Sequence, residues 1–406
     1  MSKDTRNVPA LRFKGFSDAW EKRKLIYFLN VSDQKNSKGT FSKKDVLSVS
    51  GEFGIVNQIQ FQGRSFAGVS VKKYGIVEKG DIVYTKSPLK RNPFGIIKVN
   101  RGQAGIVSTL YAIYKPRKTV CPSIIDYYFQ SDTKLNNYLR PLVNKGAKND
   151  MKVKNIDVLK GLVILPLNLD EQKKDIFFLD NITNLIAATQ DKLDHFEEIK
   201  KALLKHLFDQ SMRFKGYSDP WEKRKLGELS NIRRGASPRP ISSKKWFSET
   251  SSIGWLRISD VTEQNGRIYH VAQHLSKEGQ EKTLVLTTKH LILSIAATVG
   301  KPVQNYIALG IHDGFIVFLN PKFDLDFMFY FLEDYQPKWS RFGQPGSQVN
   351  INSELVRELE INVPREDEQK KISHVLLNVD NLIAATQSKL SSLESLKKAL
   401  LQGLFI

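Results

Sequence analysis

Apolar residues recur at alternating steps of three and four through 170–208, with Leu179, Ile182, Ile186, Thr189, Leu193, Phe196, Lys200, Leu203 and Leu207 on one stripe. That spacing predicts a long amphipathic helix. A shift of 197 positions gives Leu376, Val379, Ile383, Thr386, Leu390, Leu393, Lys397, Leu400 and Leu404, with seven of nine positions apolar in each copy. Each stretch follows a short apolar run marked by Pro166 or Pro364 and opens with acidic residues, which the positive end of a helix favours. A stripe this long must bury. The economical partner is the other copy, which predicts a coiled coil and a pseudo-twofold chain.

The repetition extends beyond the helices. LRFKGFSDAWEKRKL at 11–25 returns as MRFKGYSDPWEKRKL at 212–226, identical at twelve of fifteen positions. The order is therefore lead-in segment, variable block, long helix, then the same three again. A period near 200 residues exceeds that of solenoid or propeller units and indicates a duplicated domain. In the first block YGIVEKGDIVYTKS, PFGIIKV and GIVSTLYAIYKP read as strands, with a helical run SIIDYYFQSDTKLNNYLR after Pro122. In the second, GWLRISDV, TLVLTT, HLILSIAAT and GFIVFLNP take that part, followed by DLDFMFYFLEDYQPKWSRF. Both blocks then pass through a glycine, Gly146 or Gly346, into a short apolar strand. The fold expected is α+β: two similar mixed α/β domains, 1–169 and 211–365, and two spacer helices, 170–210 and 366–406.

Composition narrows the function classes. With 406 residues, 41% of them hydrophobic, the chain is long and apolar enough for at least two packed domains. No apolar stretch reaches the ~20 residues of a bilayer span, and MSKDTRNVPA lacks the apolar core of a signal peptide, which points to a cytoplasmic protein without a membrane partner. The single Cys121 excludes intrachain disulfides and cysteine-built zinc sites. The formal charge is +20, and the excess lies in the blocks, net +18 over 1–169 and +5 over 211–365. A basic surface of this kind suits a polyanion, because each cation set on a phosphate releases counterions.

Catalytic signatures are missing. ATVGKP at 297–302 lacks the first glycine of a phosphate loop and carries Pro302 where a magnesium-binding hydroxyl belongs. RNPFG at 91–95 lacks the second proline of an amino-methyltransferase element, and no glycine-rich cofactor loop precedes it. Glu171 with Lys173, repeated as Glu368 with Lys370, is read as helix capping. His270 and His274 lack the glutamate of a metalloprotease motif, and the remaining histidines are scattered. Combined with the basic, duplicated layout, these absences favour a binding chain over a self-sufficient DNA methyltransferase or nuclease, and a duplicated protein-binding scaffold stands as the other alternative.

The paired EQKK to KKALL helices, the lead-in segments with Trp20 and Trp221, and the strings KGDIVYTKS, GIVSTLYAIY, RRGASPRP, LRISDV and LILSIAATVGKP resemble the specificity subunit of type I restriction-modification systems. The resemblance covers essentially the whole chain and implies that the two coiled-coil helices run antiparallel as a spacer between two target-recognition domains. It implies a non-catalytic subunit that reads double-stranded DNA as an asymmetric, bipartite target, one recognition domain per half-site. It also implies assembly with two adenine-N6 methyltransferase subunits and with restriction/translocase subunits. S-adenosylmethionine, ATP and magnesium would belong to those partners, and this chain would carry no cofactor.

Candidate DNA-binding residues lie where cations and amides cluster in expected loops. They are Lys72, Lys73, Lys86, Lys90, Arg91, Lys145, Lys148, Asn149 and Lys152 in the first domain, and Arg233, Arg234, Arg239, Lys244, Lys245, Arg341, Gln344, Gln348 and Asn350 in the second. Arg suits guanine, Asn or Gln suits adenine, and Lys more often meets phosphate. The Trp20 and Trp221 segments, and the low-charge face of the helices, are candidate methyltransferase contacts.

Overall fold

In both copies the lead-in segment forms a strand that pairs antiparallel with the strand just before the long helix. Glu21–Lys24 pairs with Leu162–Leu165, and Glu222–Lys225 pairs with Glu360–Val363. Each variable block is thus closed by its own two ends. The computed structural model describes residues 7–68, 70–145, 151–342 and 351–405. It divides into two units, 1–190 with 389–406, and 191–388.

The first unit holds a four-stranded antiparallel sheet in the order Leu29–Ser32, Tyr111–Pro116, Ile82–Thr85, Ile97–Val99. Its core is built on Leu25, Phe28, Tyr84, Tyr114, Ile124 and Ile125. The helical run after Pro122 is two helices, Pro122–Tyr128 and Asp132–Leu139, because the Ser131 side chain accepts from the Lys134 N–H and starts a new one. Outside the sheet stands a hairpin, Leu47–Ser50 with Gly54–Asn57, followed by the short helix Gln58–Gln62.

The second unit holds a five-stranded sheet in the order Asn231–Arg234, Phe315–Leu319, Leu291–Ser294, Pro302–Asn305, Arg267–Ile268, with the last pair parallel. A three-stranded sheet places Leu309–Ile311 between Gly254–Trp255 and Leu284–Leu286. The expected strand GWLRISDV is a strand only at Gly254–Trp255. Its remainder turns into the helix Ile258–Glu263, because the Asp260 carboxylate accepts from the Arg257 backbone N–H at 2.8 Å and caps the turn. The helix Leu325–Tyr335 continues as the 3-10 helix Gln336–Phe342.

Both repeated stretches form single long helices, Leu169–Phe208 and Glu366–Leu404. Each helix has its ends in different units. Leu179 lies in the first core beside Leu404 and Phe405, whereas Leu207 lies in the second beside Ile372 and Leu376.

The helix starts correct the capping expectation. Asn168 is the cap, its Oδ1 accepting from the backbone of Asp170 at 2.8 Å. Glu171 is only 2% exposed, and it accepts from Arg12 Nε and Nη2 at 2.6 and 2.9 Å and from Trp20 Nε1 at 3.1 Å. In the second copy Glu368 accepts from Arg213 at 3.0 and 2.8 Å. The following glutamine donates to the proline carbonyl behind it, Gln172 to Pro166 at 2.7 Å and Gln369 to Pro364 at 2.8 Å. Its oxygen accepts the N–H of the residue that starts the block's main helix, Cys121 at 2.7 Å or Asp324 at 2.8 Å. The repeated letters RFKG, W and EQ are therefore a buried joint between lead-in and helix. Trp20 and Trp221 are both buried and anchor the core, while the lead-in residues before them are mostly exposed.

Candidate nucleic-acid interface

In the first unit the candidate cations rise from loops fastened underneath. Lys72 and Lys73 stand exposed on the turn before Gly75–Val77. Lys86 leaves the strand Ile82–Thr85 half-buried, and burial together with the nearby Lys35 charge lowers its pKa. Lys90 and Arg91 are exposed on the loop to Ile97–Val99. Asn92 pins that loop, its Nδ2 donating to Asp132 at 2.8 Å, and Tyr84 pins it again by donating to the Phe94 carbonyl at 2.8 Å. The cations can therefore present charge without ordering the backbone anew. Lys145 and Lys152 belong by their backbones to a short antiparallel pair, Asn144–Lys145 with Met151–Lys152, and not to a loop. Lys148 and Asn149 lie outside the described residues, as does Gly146.

Sequence reading missed an exposed run in this unit. Phe53, Phe61 and Phe66 are 59%, 46% and 59% exposed, with Phe53 against Phe61 at 5.3 Å and Arg64 over the Phe66 ring at 4.7 Å. Its aromatic and glutamine content between 53 and 66 was the available signal.

In the second unit two of the candidates, Arg234 and Arg239, meet at Asp313. Arg233 and Arg234 end the edge strand Asn231–Arg234, so they are strand residues that reach solvent at its tip. Arg234 Nε donates to the Asp313 carbonyl at 2.6 Å, Arg239 Nη2 meets Asp313 Oδ2 at 2.8 Å, and the Ser237 hydroxyl donates to Oδ1 at 2.6 Å. The serine hydroxyl first, and then the Arg239 charge, hold the Asp313 carboxyl below its usual range. Lys244 and Lys245 sit on the 3-10 turn Lys244–Trp246, which is tied to the same loop by Trp246 Nε1 donating to the Pro240 carbonyl at 2.9 Å. Arg341 is placed differently. It lies along its own helix, with its guanidinium 5.2 Å from the Tyr335 ring centroid and 4.8 Å from that of Phe342. Gln344, Gln348 and Asn350 lie outside the described residues, as does Gly346.

Beside Asp313 opens a cleft of about 260 Å³ lined by Ser237, Arg239, Ile241, Trp255, Arg257 and His312. His312 Nδ1 accepts the Gly314 N–H at 2.8 Å, so the proton of the neutral ring sits on Nε2. Burial lowers the His312 pKa against the opposing charge of Asp313, which keeps the ring neutral. Arg257 Nε is buried with no acceptor among the described residues, and its Nη2 reaches Asp260 only at 3.5 Å. Among the described residues no group of three His, Cys, Asp or Glu could hold a metal ion, and no helix is long and apolar enough to cross a membrane.

Residues 218–395 match a family model described as the type I restriction modification DNA specificity domain. The type I restriction enzyme MjaVIII specificity subunit of Methanocaldococcus jannaschii is 24% identical over 260 residues, 57% of this chain and 59% of that protein. The putative type I restriction enzyme MjaX specificity subunit of the same organism is 25% identical over 274 residues, 64% of this chain and 62% of that protein. The chain thus spans about three fifths of the length of these relatives, from 59% to 62%. The crystal structure of a type I restriction-modification system S subunit from M. genitalium superposes with a TM-score of 0.63 at 13% identity, covering 98% of this chain and 99% of that one, and shares its fold. The resemblance to specificity subunits seen in the sequence is borne out.

Proposed function

From the likeness of this chain to type I specificity subunits, we propose that it is the DNA-reading subunit of a restriction-modification complex, with one half of a bipartite target read by each unit. The observation that carries this reading is the duplicated joint supporting unlike surfaces. Arg12–Glu171 and Arg213–Glu368 are the same device, while the cations above them stand on different loops. Two readers on one frame recognise two sequences, so the target is asymmetric.

Lys72, Lys73, Lys90 and Lys244 fit the role of phosphate contacts, and the arginines around Asp313 fit base edges. The long helices, 40 residues in the first copy, act as the spacer whose length sets the gap between half-sites. The chain itself performs no chemistry. Two methyltransferase subunits and the restriction/translocase subunits bring S-adenosylmethionine, ATP and magnesium, and an adenine in each half-site is flipped into the partner's pocket. The complex works in the cytoplasm.

Co-expression with methyltransferase subunits in a host lacking adenine methylation, followed by mapping of N6-methyladenine, tests the reading. A split motif with a fixed unread gap is expected, and it disappears when this chain is omitted. Methylation independent of the chain, or S-adenosylmethionine binding by the chain alone, would overturn it.

A further inference from the structure

The cleft beside Asp313 combines four properties: free donors, a masked acceptor, an apolar wall and a cationic rim. The donors are Arg257, whose side chain is 41% exposed and whose terminal nitrogen makes one long contact to Asp260 at 3.5 Å, and His312, whose neutral ring has Nε2–H to offer. The carboxylate that lines the cleft, Asp313, is already taken by Ser237 at 2.6 Å and Arg239 at 2.8 Å. Ile241, 42% exposed, and the buried Trp255 form the apolar side. Arg239 lines the opening, Arg234 holds the Asp313 main-chain carbonyl, and Lys244 and Lys245 stand on the turn tied to Pro240.

A site of this kind selects a ligand edge that carries acceptors and no donor. In the major groove guanine presents N7 and O6, both acceptors, whereas adenine and cytosine each present an amino donor that would find Asp313 already occupied. The volume, about 260 Å³, lies below the ~300–1,000 Å³ of sites that enclose a small molecule, and suits an edge entering from a duplex. The cationic rim supplies phosphate contacts on either side of such an edge. We propose that the cleft formed by Arg257, His312 and Ile241 reads a guanine in the half-site of the second unit, with Arg257 as the bidentate donor. This inference rests on the DNA-reading function proposed above and names residues that the surface-charge pattern passes over.

The test offers the full chain a pool of randomised duplexes at fixed salt and compares the motif selected by the wild type with those selected by Arg257→Met and Arg257→Lys. Both variants are expected to lose preference at one guanine by about 5- to 150-fold, the discrimination of one bidentate contact, with the other positions kept. Arg257→Lys separates the sources of acceptor. A phosphate contact tolerates the retained charge and weakens all sequences evenly in Arg257→Met, and that result overturns the proposal. Loss of preference at a thymine or another base, or an unchanged motif, overturns it as well. If Arg257→Met does not fold, as judged by its thermal transition, His312→Gln is read in the same way. A wild-type chain that selects no motif at all defeats the DNA-reading function itself, a result distinct from an unchanged variant.

Discussion

The two units carry the same polar knot where the block meets the long helices, and they satisfy it differently. In the second unit Tyr330 donates to Asp380 at 2.6 Å, Arg267 lies 5.3 Å from the Tyr330 ring, and Lys200 bridges Asp380 at 2.8 Å and Glu333 at 2.9 Å. In the first unit Tyr127 donates to Asp180 at 2.5 Å, Arg101 lies 5.1 Å from the Tyr127 ring, and Lys397 occupies the place of Lys200. Aligning Cys121 with Asp324 sets Gln130 where Glu333 stands. The consequence shows in the lysines. Burial acts to lower both, but Glu333 and Asp380 outweigh it and raise Lys200, whereas Lys397, among Lys98 and Arg101, stays lowered. A second difference lies one turn into the helix. Asp175 is 2% exposed with Oδ2 unpaired among the described residues, and the other copy has Ile372, 1% exposed, at that position. Burial first, then the Glu171 charge, pushes the Asp175 carboxyl up to about 7. Duplication preserved the joint, while each copy settled its buried charges separately.

The comparison can be broken at the joint itself. Arg12→Ala leaves Glu171, 2% exposed, without its cation and should cost the first unit about 3–5 kcal/mol, seen as an early transition in urea unfolding. Arg213→Ala should move the transition of the second unit instead.

Asp175→Ile imports the choice of the other copy. The folded state keeps a proton that the unfolded chain releases above about pH 4, so the wild type should lose stability as pH rises from 4 through about 7 and level off above. At pH 8 the isoleucine variant should be more stable by about 2–4 kcal/mol, and its stability should no longer fall over that interval. A variant that keeps the full slope would show that Asp175 is not the titrating group.

Glu333→Gln makes the second knot like the first and should destabilise it by about 1–2 kcal/mol, since Lys200 keeps only Asp380. Gln130→Glu, the reverse exchange, should raise the Lys397 pKa, read from its Nζ titration by NMR, with a gain below about 1 kcal/mol. The smallest effect is expected for Asp313→Asn. Stability should change by less than about 1 kcal/mol, because Arg239 is exposed, while the lost carboxylate charge and the freed Arg239 should raise DNA affinity in a binding titration.

Much of the frame was legible from sequence. The helices repeat a stripe over nine positions, and the lead-in segment recurs almost letter for letter, so periodicity and repetition reveal them without tertiary knowledge. The role of Glu171 was not, because an acidic residue at a helix start has an ordinary explanation in capping, and only the fold brings Arg12 to it. LRISDV alternates like a strand, yet a local bond between Arg257 and Asp260 outweighs that pattern. The cleft was the least legible part. Arg257 and His312 are distant in sequence and neither stands in a charge cluster, whereas Arg234 and Arg239, which do, were found by that signal.

The burial of Leu404 and Phe405 in the first core sets an order of events during synthesis. The second unit is continuous from 191 to 388, so all of it is synthesised before 389–406, which the first unit still lacks. The half made first is completed last, and until then the faces that will receive Leu404 and Phe405 stay open to solvent and to chaperones.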